Sequence, residues 1–196
     1  MSAAILPALP VADSLRYKRF TRTEIEHMLD LGLFDGQRFE LIDGELIDKM
    51  GQNPPHARAI RKVFACLLGL FPPATILIQA PVETSGRDRD WSVPEPDVAV
   101  LRDEADIGMR HPRADELLLA VEVADASLRQ DSIRKRDLYA RAGVPEYWVL
   151  DLRSRRLIVH RNPDNGTYRE TLILSETDLV SPAGRPETIA VGELLA

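Results

Sequence analysis

The spacing of hydrophobic and polar positions changes several times along the chain, and each change predicts an element. Thr21 or Thr23 offers an N-cap for a helix over Glu24–Leu31, with Gly32 near its end. Arg38–Ile42 and Glu45–Met50 flank Asp43-Gly44, a dipeptide suited to the positive φ angles of a type I′ turn, and predict a β-hairpin. From His56 to Leu70, Ile60, Val63, Phe64, Leu67 and Leu68 recur at helical spacing, and Pro72-Pro73 stops that helix. Short β-type runs follow at Thr75–Gln79, Pro96–Leu101, Leu117–Ala124, Glu146–Asp151 and Arg156–Arg161. Ser85–Asp90 reads as a polar loop. Asn162–Gly166 reads as a hairpin-like turn ahead of Thr167–Leu174. A helix over Asp131–Ala142, ended by Gly143 and Pro145, separates the third and fourth of these runs. Leu117–Val123 is apolar on both faces apart from Glu122, the pattern of a strand covered on both sides. The expected class is α/β (α+β): a mixed central sheet flanked by helices, with an N-terminal β-hairpin.

At 196 residues, one domain over 1–196 is expected, with residues 1–20 as a loose arm. The net charge of −6 argues against coating a polyanion by bulk charge, so a nucleic-acid partner must meet a local basic patch. The single cysteine, Cys66, excludes an internal disulfide and multi-cysteine metal sites, and a reducing cytoplasm fits it. The first ten residues lack a basic n-region, and no run approaches the roughly 20 apolar residues that span a bilayer, so no membrane role is expected.

Candidate chemistry begins with carboxylates set inside apolar strands. Asp97 precedes Val98-Ala-Val-Leu101, and Glu122 interrupts Leu117–Val123. A buried carboxylate needs a metal ion, a cation or a proton as partner. Two acids on neighbouring strands would make a hard-oxygen site suited to Mg²⁺ or Mn²⁺; either could instead reach solvent or an arginine at a strand end. Lys135 shares a helix face with Leu138, Tyr139 and Ala142, so it either snorkels to solvent or points into a site.

Pro96-Asp97 followed by Glu122-Val123-Ala124 resembles the PD-(D/E)xK nuclease superfamily. The longer context is Phe39-Glu-Leu-Ile-Asp-Gly-Glu45, Pro94-Glu-Pro-Asp97-Val, Glu122-Val, and Lys135 leading into Leu138-Tyr-Ala-Arg-Ala-Gly-Val-Pro-Glu-Tyr-Trp-Val-Leu-Asp151. It is similar to the bacterial "putative restriction endonuclease" family within that superfamily, over roughly Thr21 to Arg161. The resemblance implies a restriction-endonuclease-like core and Asp97 and Glu122 as metal-binding acids. The superfamily's usual lysine lies two residues after the glutamate, where this chain has Ala124. The related pattern places it on the following helix, and Lys135 matches. Glu40 matches an early acid in the hairpin; read by itself it is equally a strand residue facing solvent beside Arg38.

Phosphodiester hydrolysis needs a nucleophile made from water, stabilisation of charge on the non-bridging oxygens, and help for the leaving oxygen. A divalent ion on Asp97, Glu122 and the Val123 backbone carbonyl, with Lys135 beside it and Glu40 as a further acid, meets those needs. The expected function is a Mg²⁺- or Mn²⁺-dependent DNA endonuclease, dimeric by analogy with enzymes that cut both strands. The alternatives are a catalytically silent DNA-binding or interaction module, for which Ala124 marks a decayed centre, and a small-molecule phosphohydrolase. Residues 129–161 hold nine Arg or Lys and four Asp or Glu, a local +5, which either admits a phosphate backbone or forms solvated faces. His56 is either structural at the helix start or an accessory base. Tyr147-Trp148 packs the core or a subunit contact. No G-x-S-x-G, glycine-rich phosphate loop or nucleic-acid recognition motif is present.

Overall fold

The structure, a computed structural model, describes residues 17–49, 53–102, 110–124 and 129–195. Helix α1 (Arg22–Asp30) starts at Thr21, whose side chain accepts the Glu24 N–H while Glu24 accepts from the Thr21 N–H, a reciprocal capping box. Strands β1 (Phe39–Ile42) and β2 (Glu45–Asp48) form the expected hairpin, with Asp43 and Gly44 at φ 49° and 79°. Helix α2 (Pro54–Leu68) begins two residues earlier than its apolar stripe suggests. Asn53 caps it and prolines fill the first turn, where a missing N–H costs nothing.

Six strands make the central sheet, in the order β3 (Ile76–Ile78), β4 (Val98–Leu101), β5 (Leu117–Ala124), β6 (Glu146–Asp151), β7 (Arg156–Asp164) and β8 (Thr167–Ser175). All neighbours are antiparallel except β5 and β6, which run parallel and are joined by helix α3 (Arg129–Arg141). The sheet is therefore mixed, as expected. Ser85–Asp90 includes a single 3₁₀ turn, Gly86–Asp88, and strand β7 runs three residues past its expected end before Asn165-Gly166 turns the chain. Beyond β8, the pair β9 (Leu179–Val180) and β10 (Ile189–Ala190) and the short helix α4 (Val191–Leu194) were not legible, because two- to four-residue elements carry no periodicity. Most of the expected N-terminal arm lies outside the described residues.

Period-2 alternation sorts side chains into two cores. Val98, Val100, Leu119, Val121, Val123, Trp148, Leu150, Leu157 and Val159 face α2 and α4, against Ala59, Ile60, Val63, Leu67, Val191 and Leu194. Ala99, Leu101, Ala120, Tyr147 and Val149 face α3, against Tyr139 and Val144. Tyr147 and Trp148 are thus core residues on opposite faces. Among the described residues no helix is long and apolar enough to cross a membrane.

Candidate active site

The register of the sheet sets the two strand acids side by side. Strands β4 and β5 pair Val98 with Val121 and Ala99 with Ala120, so continuing by one residue places Asp97 opposite Glu122, on the face that α3 covers. Asp97 stands just outside β4, which starts two residues later than expected. Its Oδ2 instead accepts the Val123 N–H at 2.9 Å, and Oδ1 accepts from Gln79 Nε2 at 3.3 Å. His56, in the first turn of α2, brings Nε2 to 3.4 Å from Asp97 Oδ2.

From the other side α3 contributes Lys135 and, one turn on, Tyr139. The Lys135 ammonium lies 2.7 Å from Glu40 Oε1 and 2.9 Å from Glu122 Oε1, and the Tyr139 hydroxyl lies 3.4 Å from the same Glu122 oxygen. Glu40 arrives from β1, and its Oε2 accepts the Glu95 N–H at 3.2 Å. Glu40, Asp97, Glu122 and Lys135 are 5%, 3%, 8% and 5% exposed, so neither Glu40 nor Lys135 is the solvent-facing side chain that each resembled in isolation.

Burial dominates the electrostatics, with Lys135 held between Glu40 and Glu122 and His56 beside Asp97. Burial pushes the Glu122 carboxyl up to about 7; Lys135 opposes the rise, while the charges of Asp97 and Glu40 add to it. Burial also works against the Lys135 charge, but Glu122 and Glu40 outweigh it and hold the ammonium above its ordinary value. For Asp97 burial is again the largest influence, and His56 with the Val123 amide overcomes it, keeping the carboxyl below the usual range. His56 is raised for the complementary reason: burial is outweighed by Asp97 and the Val123 backbone.

Sequence reasoning missed several neighbours. Gln79 gave no signal, Tyr139 was legible only as part of the apolar face of Lys135, and Lys49 and Glu95 were not singled out. The basic strip expected over 129–161 is largely neutralised within the molecule. Arg134 pairs with Glu45, Lys135 with Glu40 and Glu122, Arg141 with Asp88, Arg156 with Asp151 and Arg161 with Glu146. Those acids come mostly from distant segments, which a linear charge count does not see. Among the described residues no group of three or more His, Cys, Asp or Glu side chains is arranged to hold a metal ion.

No curated protein matches the chain. Among solved structures, it is similar in fold to "a putative nuclease belonging to DUF820" from Anabaena variabilis ATCC 29413, with a TM-score of 0.63 and 16% identity, over 85% of this chain and 96% of that one. The family described as "Putative restriction endonuclease" matches residues 24–190, from α1 through β10, and with them every element that supplies a side chain to the acid–lysine cluster. The chain is a member of that family, Uma2.

Proposed function

We propose that this chain is a divalent-metal-dependent endonuclease that hydrolyses phosphodiester bonds in DNA, with its centre at Asp97, Glu122, Lys135 and Glu40. The observation that carries the reading is a pair of buried acids set opposite each other on adjacent strands, Asp97 and Glu122, with the Lys135 ammonium 2.9 Å from Glu122. Hard carboxylate oxygens on neighbouring strands suit Mg²⁺ or Mn²⁺, and Mg²⁺ in particular binds through one or two carboxylates and keeps several waters. Asp97, Glu122 and the Val123 carbonyl would hold the ion, which when bound polarises the phosphate and makes water a better nucleophile.

The chain's own groups prepare that site. Glu122 Oε1 receives both Lys135 and Tyr139, which leaves Oε2 without a hydrogen-bond donor among the described residues. Glu40, fixed by the Glu95 N–H, aims the Lys135 ammonium. Lys135 remains protonated at neutral pH, so it acts as a hydrogen-bond donor and fixed positive charge for the developing phosphate oxygens, not as a base. Its position on α3 lets an amine reach the acids although Ala124 occupies the place two residues after the glutamate. Cutting both strands of a duplex calls for two such centres, which a homodimer would supply.

A plasmid-nicking assay with Mg²⁺ and with Mn²⁺ tests the reading. Asp97→Asn is expected to lose ion-dependent cleavage by more than the roughly 10–100-fold cost of losing a supporting residue. A purified, folded variant that cuts as fast as the unaltered protein removes the site assignment. DNA binding without cleavage under either ion would favour the silent binding module instead.

A further inference from the structure

Beside the acid cluster, two cations share one oxygen. Arg38 and Lys49 face each other across the open end of the β1–β2 hairpin, where the Lys49 N–H donates to the Arg38 carbonyl at 2.8 Å. Like charges directly opposite on paired strands destabilise a hairpin unless an anion lies between them. Here the anion is Glu95: its Oε1 accepts from Arg38 Nη2 at 2.8 Å and from Lys49 Nζ at 2.9 Å. The triad carries a net positive charge. Arg38 is 55% exposed and open to solvent, whereas Lys49 is 14% exposed and lies close enough for its charge to act on both Asp97 and Glu122.

We propose that Arg38 and Lys49 form the seat for a backbone phosphate of the nucleic acid next to the scissile site, and that the Glu95 carboxylate stands in for that phosphate in the free protein. The inference rests on the nuclease reading above. One carboxylate oxygen between a guanidinium and an ammonium reproduces the demands of a non-bridging phosphate oxygen. Release of the carboxylate leaves the ammonium in place, because Lys49 Nζ also donates to the Glu95 backbone carbonyl at 2.8 Å. That carbonyl belongs to Pro94-Glu95-Pro96, a segment whose prolines restrict its backbone, and the Glu95 N–H is fixed on Glu40. The phosphate would therefore enter by replacing one carboxylate side chain while the frame behind it stays in place.

The test is a binding titration of a short synthetic DNA duplex at several salt concentrations, with Ca²⁺ in place of Mg²⁺ to suppress cutting. Arg38→Gln and Lys49→Gln should each lower the salt slope by about one and weaken binding roughly eight-fold at about 0.1 M salt, as one lost phosphate contact requires. Lys49→Arg should keep the slope, which separates charge from folding defects. Glu95→Gln should tighten binding in the unaltered background and lose that gain when Arg38→Gln and Lys49→Gln are also present. Unchanged slopes in both single variants, or a Glu95→Gln gain that persists without the two cations, overturn the proposal. If the unaltered protein binds no duplex at any salt, the nuclease reading fails and this inference with it.

Discussion

Replacing Lys135 by methionine keeps the length and apolar stem of the side chain and removes the one charge shared by Glu40 and Glu122. Taking one partner from a buried ion pair costs about 3–5 kcal/mol, because the remaining charge is left buried. The pH dependence makes the prediction specific. Glu122 has its folded value raised to about 7 from an ordinary 4.5, so between those values the native state holds a proton that the unfolded chain releases. Stability in the unaltered protein therefore falls as pH rises through that window and levels off above it. Without the ammonium the carboxyl moves higher still. The fall then continues above about pH 7, at about 1.4 kcal/mol per pH unit for one retained proton. Urea unfolding in EDTA from about pH 6 to about pH 9 reads both curves, with the gap widening at the alkaline end. A variant as stable as its parent, or a loss of equal size across the range, would refute the buried-charge argument.

Burial, aided by the Arg136 charge and opposed by Asp137, pushes His160 down to about 4 from 6.5. As pH falls through that interval the unfolded chain takes up a proton first, and stability of up to roughly 3 kcal/mol is lost; the unfolding difference between His160→Gln and its parent should shrink accordingly. Glu146 is buried and accepts from Arg161, from Trp148 Nε1 and from the Ala183 N–H, so Glu146→Ala strands a charge and an indole donor and should cost about 3–5 kcal/mol in urea midpoint measurements. At Gly44, φ is +79° and a Cβ would lie 2.8 Å from Arg19 Cβ and 3.2 Å from the Phe20 carbonyl. Gly44→Ala should lower stability by at least about 1–3 kcal/mol, and a thermal melt like the parent's would show that the turn relaxes freely.

Local sequence alone determined much of this protein. Asp43-Gly44 specifies its turn because few other pairs tolerate two positive φ angles, and the apolar run of β5 reads as a doubly covered strand. The same patterning isolated Asp97 and Glu122, since carboxylates inside apolar strands conflict with their surroundings unless something compensates them. What the tertiary structure decided is which charges meet. Glu40 and Lys135 are 95 positions apart by their numbering, and only the docking of the hairpin against α3 turns two ambiguous side chains into one buried pair. The basic strip dissolved for the same reason: ion pairing depends on distance in space, and the acids that neutralise it arrive on other elements. Arg38, Lys49 and Glu95 were invisible until folding set a hairpin end beside the Pro94–Asp97 segment, because no periodicity or motif marks two cations that converge on one oxygen.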